Sequence, residues 1–169
     1  MKNNAEILDA LAIAEPSEWY ALLDILRDYY ALDSTLAPAQ KALRDSMCFL
    51  VIMSNGFDGM LGCLGDGFQW LYRGEQAMKK IGAEEMWQVV KQAIAIVERL
   101  TGASKPDPFP DDPFENCEIE EYGKVDWDEL QAALREPDHQ FYLLTCKPIE
   151  VSVYRRIREF VLANRNDFD

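Results

Sequence analysis

Carboxylates are the most numerous side chains of this sequence that can bind a ligand or take part in chemistry. The 169 residues include 30 Asp and Glu against 17 Lys and Arg, a formal net charge of −13 at pH 7. Residues 1–33 hold seven acids and two bases, and residues 105–139 hold twelve acids and three bases, so these stretches carry −5 and −9. Phosphate backbones and anionic membranes are bound by Lys and Arg, so this charge argues against both as partners.

The acidic stretches allow three interpretations. A calcium site is not predicted, because the spacing of a calcium-binding loop is absent and Pro110 and Pro113 interrupt the turn it needs. Composition alone favours a solvated surface that keeps the protein soluble. A third interpretation is a surface that imitates nucleic acid, since carboxylates at i and i+4 on a helix lie roughly 5–6 Å apart and resemble the repeated charges of a DNA strand.

Under the third interpretation, the acids of both stretches are candidate partner-binding residues. They are Glu6, Asp9, Glu18, Asp24, Asp28, Asp107, Asp111, Asp112, Glu115, Glu118, Glu120, Glu121, Asp126, Asp128 and Glu129. A basic DNA-binding protein would be attracted to such a surface by its long-range field. The cations Lys147, Arg155, Arg156 and Arg158 form the one basic patch, which we expect to face an acidic surface in the same molecule or in a dimer.

The sequence contains no recognisable motif of catalytic residues. His139 is the only histidine, and no serine or cysteine lies in the sequence context of a catalytic nucleophile. The glycines of residues 56–67 match neither a dinucleotide-binding nor a phosphate-binding loop. We therefore predict no catalytic, metal-binding or cofactor-binding residues, and a protein that is not an enzyme.

Cysteine usage and segment hydropathy bear on the compartment. Cys48, Cys63, Cys117 and Cys146 are scattered without a CxxC pair, which is typical of reduced and mostly buried thiols. No apolar stretch reaches the length of a membrane helix, and the N-terminus shows no apolar signal core. We therefore expect a cytoplasmic protein.

Helical periodicity dominates the chain and sets where these side chains lie. The clearest helix is predicted over residues 83–100, and Gly102 ends it. Its apolar stripe consists of Met86, Val89, Val90, Ala93, Ile94, Val97 and Leu100. Further helices are predicted around residues 7–11, 17–32, 38–56, 56–65, 66–82 and 126–136, and from Pro148 onward. The predicted fold is one all-α domain over residues 1–169, a bundle of about seven helices with an acidic, Pro-rich loop at residues 103–124.

Two segments resemble a family of small helical bacterial proteins. They are residues 54–61, which contain Asn55, Gly56 and Phe57, and residues 74–83, where a helix ends in Ile-Gly-Ala. The resemblance is carried by an Asn-Gly-Gly-Phe-type motif, from which this chain departs at Gly59, where the family has Gln. The family includes an acidic DNA mimic, so the resemblance implies a homodimer that binds a helix-turn-helix transcription factor and keeps it from its operator DNA.

A second hypothesis needs no imitation of DNA. A helical adaptor or immunity-type protein would bind its partner through an apolar groove, for which Trp70 and Trp87 are the candidate residues. Its binding would be insensitive to salt, whereas binding between an acidic surface and a basic protein weakens as salt increases.

Overall fold

Apolar stripes at helical spacing determine the architecture. The computed structural model describes residues 4–30, 35–63, 67–105, 125–148 and 151–168, and these residues form eight α-helices and no strand. The helices are α1 (Asn4–Ile13), α2 (Pro16–Tyr30), α3 (Pro38–Ile52), α4 (Gly56–Cys63), α5 (Gly67–Lys80), α6 (Glu84–Thr101), α7 (Trp127–Thr145) and α8 (Val153–Ala163). The predicted all-α class is confirmed, with a helix count close to the expected seven. Of the predicted loop, residues 106–124 lie outside the described residues.

Helix α3 lies at the centre and packs against α2, α5 and α8. Its apolar side chains Leu43, Met47 and Phe49 are all fully buried. The two helices α3 and α5 approach closely at Gly74, where a Cβ atom would overlap the ring of Phe49. The sequence indicates this central position, because the second half of α3 is apolar on all sides.

Helix α5 packs against α3, α6 packs against α5, and α7 packs against α6. Five of the seven stripe residues of α6 are buried, whereas Ile94 and Leu100 are half-buried. Gly102 ends the helix in the left-handed conformation with φ +74°. Because L side chains are strained there, glycine suits this position. The N–H of Gly102 donates to the carbonyl of Glu98 at 2.9 Å and satisfies one of the last free acceptors of the helix.

Two predicted helix boundaries are wrong. Helix α7 continues through Pro137 to Thr145 rather than ending at Glu136, because Leu134, Pro137 and Phe141 all lie on its buried side. Their packing outweighs the hydrogen bond that proline removes inside a helix. Helix α8 begins at Val153 rather than at Pro148, since the hydroxyl of Ser152 accepts a hydrogen bond from the N–H of Tyr154 and acts as the N-cap.

The N-terminal hairpin of α1 and α2 is attached to the C-terminal end of the chain. The carbonyl of Phe168 accepts hydrogen bonds from Asn4 Nδ2 at 3.1 Å and from the hydroxyl of Tyr30 at 3.2 Å. The ring of Phe168 is fully buried against Tyr30. The guanidinium of Arg158 on α8 donates to the carbonyls of Leu11 and Ala12, so the hairpin and α8 are connected at several points.

Candidate acidic binding surface

Five candidate acids lie on the α1–α2 hairpin. Glu6 and Asp9 are on α1, and Glu18, Asp24 and Asp28 are on α2. Four of these residues are exposed, and Asp24 is half-buried. The polar sides of both helices face solvent because their apolar sides are buried in the core. The hairpin therefore presents a negatively charged surface, as residues 1–33 predict.

Asp9, Asp24 and Asp28 each have a guanidinium neighbour. Arg27 contacts Asp24 at 3.0 Å and Asp28 at 2.7 Å, and Arg165 contacts Asp9 at 2.7 Å. The side chains of Asp9 and Asp28 are still 69% and 65% exposed, so water screens both pairs and a partner can reach the carboxylates. The field of the hairpin is thus weaker than the acid count suggests, although both carboxylates are accessible.

The start of α7 carries three further candidates. The Asp126 carboxylate accepts a hydrogen bond from the N–H of Glu129 at 3.0 Å and is the N-cap of the helix. Asp128 and Glu129 are exposed in the first turn, where negative side chains interact favourably with the helix dipole. These three acids therefore also stabilise α7. The candidates Asp107, Asp111, Asp112, Glu115, Glu118, Glu120 and Glu121 lie outside the described residues.

The motif Asn55, Gly56 and Phe57 serves the packing of α4. Gly56 has φ +82°, a backbone conformation that favours glycine, and the Phe57 ring is fully buried with its centroid 5.8 Å from that of Phe141. The N–H of Phe57 donates to Oδ1 of Asp138 on α7 at 2.7 Å. Local sequence reasoning missed Asp138, because its partner lies 81 residues away and nothing in the spacing indicates the contact.

A buried cluster of charges connects α3 with α5. Arg44 Nε lies 2.9 Å from Asp45 Oδ1, and Arg73 Nη1 lies 3.7 Å from Asp45 Oδ2, with all three side chains almost fully buried. Burial raises the pKa of the Asp45 carboxyl, and the two arginine charges partly oppose that shift. The cluster joins α3 and α5, and only 5% of Asp45 is exposed.

An open groove lies between the start of α6, the end of α7 and the start of α8. Its volume is about 580 Å³, with Met86, Leu144 and Val151 among its apolar lining residues. The tryptophans expected to line a groove lie elsewhere. Trp70 is buried in the core, and the half-buried Trp87 ring is contacted by the ammonium groups of Lys79 and Lys91. Neither tryptophan lines the groove between α6, α7 and α8.

The four cations of the predicted basic patch contact several different acceptors within the chain. Arg155 and Arg156 both contact Glu159, and Lys147 contacts Glu85 at 3.2 Å. The two arginines lower the pKa of the Glu159 carboxyl. Arg158 binds backbone carbonyls of α1 and lies over the ring of Trp19. Three of the four cations thus pair with acids of this chain, but Glu85 and Glu159 lie outside the two acidic stretches that the patch was expected to face.

Among the residues that the structure describes, no cluster of three His, Cys, Asp or Glu side chains is arranged to hold a metal ion. No helix of the same residues has both the length and the apolar character of a membrane span. His139 is exposed. Cys48 is half-buried, and burial raises the pKa of its thiol. Cys146 is exposed, contrary to the expectation of mostly buried cysteines.

Comparison with known proteins gives one match. The profile of the DMP19-like protein family, whose name refers to DNA mimic protein 19, matches residues 34–164. No curated protein and no solved structure gives a significant match to this chain. The matched residues include α3 to α8 and the acids at the start of α7, whereas α1 and α2 precede them. Because the match spans most of the 169 residues, this chain belongs to the DMP19-like protein family.

Proposed function

We propose that this protein is a DNA mimic that binds a helix-turn-helix transcription factor and keeps that factor from its operator DNA. Membership in the DMP19-like family is the observation that carries the proposal. The net charge of −13 and the exposed acids of α1, α2 and the start of α7 support it. The candidate acids that lie outside the described residues are part of the same proposal.

The proposed mechanism is competition for one basic surface. A DNA-binding domain holds the phosphate backbone with Lys and Arg, and those contacts fix its position on the duplex without reading sequence. Carboxylates on rigid helices offer the same basic groups an alternative set of negative charges. The factor cannot hold operator DNA and the mimic on the same surface, so binding of one excludes the other.

We further propose that the protein acts in the cytoplasm, as a homodimer and without catalytic activity. Many helix-turn-helix factors are dimers with a two-fold axis, and their half-sites lie one helical turn of DNA apart. A mimic with the same symmetry would place two acidic surfaces opposite two recognition helices. Light scattering of the purified protein tests the oligomeric state, and a monomer at micromolar concentration would contradict it.

The function is tested by competition. The tagged protein is used to isolate partners from a bacterial lysate at about 50 mM salt, and each captured DNA-binding protein is purified. Its complex with operator DNA is then titrated with this protein in a gel-shift assay. We expect release of the DNA, and binding that weakens steeply between about 50 and about 300 mM salt, because exposed charges are screened.

A charge variant and a groove variant separate the two binding hypotheses. The double variant Glu18→Gln/Asp28→Asn removes two exposed charges from α2, and Val151→Ser removes an exposed apolar side chain from the groove between α6 and α8. The DNA-mimic proposal predicts weaker release of operator DNA with the charge variant only. Salt-independent binding that depends on Val151 would instead support an adaptor that uses an apolar groove.

A further inference from the structure

Helix α2 exposes large apolar side chains on the side that faces away from the core. Trp19, Leu23 and Leu26 are buried, whereas Ile25 is 47% exposed and Tyr29 is 38% exposed. The buried residues already supply the apolar surface that holds α2 in the bundle. Ile25 and Tyr29 lie outside the buried side of the helix, and the exposed part of their apolar surface can be covered by a partner.

Negative charge surrounds this apolar surface. With 3.6 residues per turn, Glu18, Ile25, Asp28 and Tyr29 fall within an arc of about 100° on α2. Glu18 and Asp28 are both exposed, and they lie about 15 Å apart along the helix axis, with Ile25 between them. We call this set of four residues the α2 face. A partner that covers it must be basic near the two carboxylates and apolar between them.

The α2 face is held rigidly. Tyr30, at the end of α2, donates a hydrogen bond to the carbonyl of Phe168 and packs against its ring. Near the other end, the indole N–H of Trp19 donates to the carbonyl of Ala14 at 3.0 Å, and Arg158 lies over the same ring. Both ends of α2 are thus fixed, so a partner binds a preformed surface with little loss of conformational entropy.

We propose that the α2 face is a recognition surface in which Ile25 and Tyr29 insert against an apolar side chain on the basic surface of a DNA-binding domain. This proposal rests on the proposed function and adds to it the means of selecting one partner. Charge attracts basic proteins in general, because phosphate-like contacts carry no sequence information. Burial of apolar side chains requires a complementary surface, so it separates one basic domain from another.

Salt dependence distinguishes the two contributions. The charge contribution of Asp28 is screened as salt increases, whereas burial of Ile25 and Tyr29 is not weakened by moderate salt. An apolar variant should therefore lose the same factor in affinity at low and high salt. A charge variant should lose a larger factor at low salt than at high salt.

The test uses the full-length protein and a helix-turn-helix protein captured with it. Dissociation constants are measured by calorimetry at about 50 and about 300 mM salt for wild type, Ile25→Ser, Ile25→Ser/Tyr29→Ser, Asp28→Asn and the control Val151→Ser. We expect the double apolar variant to bind about tenfold or more weakly at both salt concentrations, with the Val151 variant unchanged. The single Ile25 variant keeps the test valid if the double variant unfolds in thermal melts.

The outcomes separate this proposal from the proposed function. If a captured factor binds Ile25→Ser and the double variant within about twofold of wild type, the α2 face is not the recognition surface, and the DNA-mimic function stands. If the wild-type protein captures no basic DNA-binding protein, both proposals are wrong. If the apolar variants lose affinity only at low salt, they act through charge and the role of Ile25 and Tyr29 is overturned.

Discussion

The backbone N–H of Phe57 donates a 2.7 Å hydrogen bond to the side chain of Asp138. This bond satisfies a free N–H in the first turn of α4 with a carboxylate from α7, which lies 81 residues further along the chain. Asp138 belongs to the acidic stretch of residues 105–139, yet it serves the fold rather than the charged surface. The burial of Phe57 and the positive φ of Gly56 at the same place give the family-like motif a structural role.

Removing the Asp138 carboxylate should destabilise the packing of α4 on α7. For Asp138→Ala, we expect the free energy of unfolding to fall by about 1–2 kcal/mol, the usual effect of losing a side-chain cap. Asp138→Asn should retain most of the stability, because its amide oxygen can still accept the bond. Urea unfolding followed by circular dichroism measures both. The control Glu136→Ala removes an exposed acid from the middle of α7, and an equal loss there would refute a special role for Asp138.

Gly74 should tolerate no larger side chain. In Gly74→Ala, the new methyl group would overlap the ring of Phe49 and force α3 and α5 apart. We expect a loss of about 1–3 kcal/mol in unfolding free energy, which is typical of overpacking. This loss is opposite in sign to the effect of glycine-to-alanine changes in an open helix, which stabilise. Chemical denaturation gives the value, with Gln76→Ala on the exposed side of α5 as the control.

Removal of Arg27 should strengthen binding to a basic partner. Arg27 contacts both Asp24 and Asp28, and Arg27→Gln would leave these two carboxylates without that cation. Under the proposed function, we expect the dissociation constant for the captured factor to fall a few-fold at about 50 mM salt and little at about 300 mM. The control variant Arg99→Gln also removes one positive charge, but from an exposed position on α6. Equal effects of both variants would show that net charge alone matters.

Tyr72 should make the protein sensitive to alkaline pH. Its buried hydroxyl donates to Glu98 Oε1 at 2.7 Å, and burial together with this carboxylate raises the pKa of Tyr72 far above the ordinary value of 10.0. A raised folded-state pKa stabilises the fold fully below the unfolded pKa, and this contribution is lost as pH rises from 10 through the folded pKa.

Unfolding measurements on Tyr72→Phe test this assignment. We expect wild type to be more stable than the variant at about pH 8, by about 1 kcal/mol from the lost hydrogen bond, and this difference to shrink by about pH 11. The variant retains part of the alkaline sensitivity, because burial also raises the pKa of Tyr154 to about 12. A difference in stability that grows with pH would contradict the assignment.

Local patterns in the sequence predicted most of the helices. The stripe of α6 from Met86 to Val97 and the Gly102 cap depend on residues within a few turns of each other, and such short-range periodicity can be read directly. The boundaries at Pro137 and Val153 could not be read in this way. The cost of proline in α7 is outweighed by burial against other helices, and only the packed chain shows that burial.

For the candidate acids, too, some properties follow from the sequence and others only from the tertiary structure. Their number, their net charge and their placement in two stretches are properties of the amino-acid sequence and need no fold. The neighbours of each acid are set by distant residues, since Arg165 contacts Asp9 from 156 positions further along the chain. Charge adds along a chain regardless of conformation, whereas ion pairs and burial depend on distances that only the tertiary structure sets.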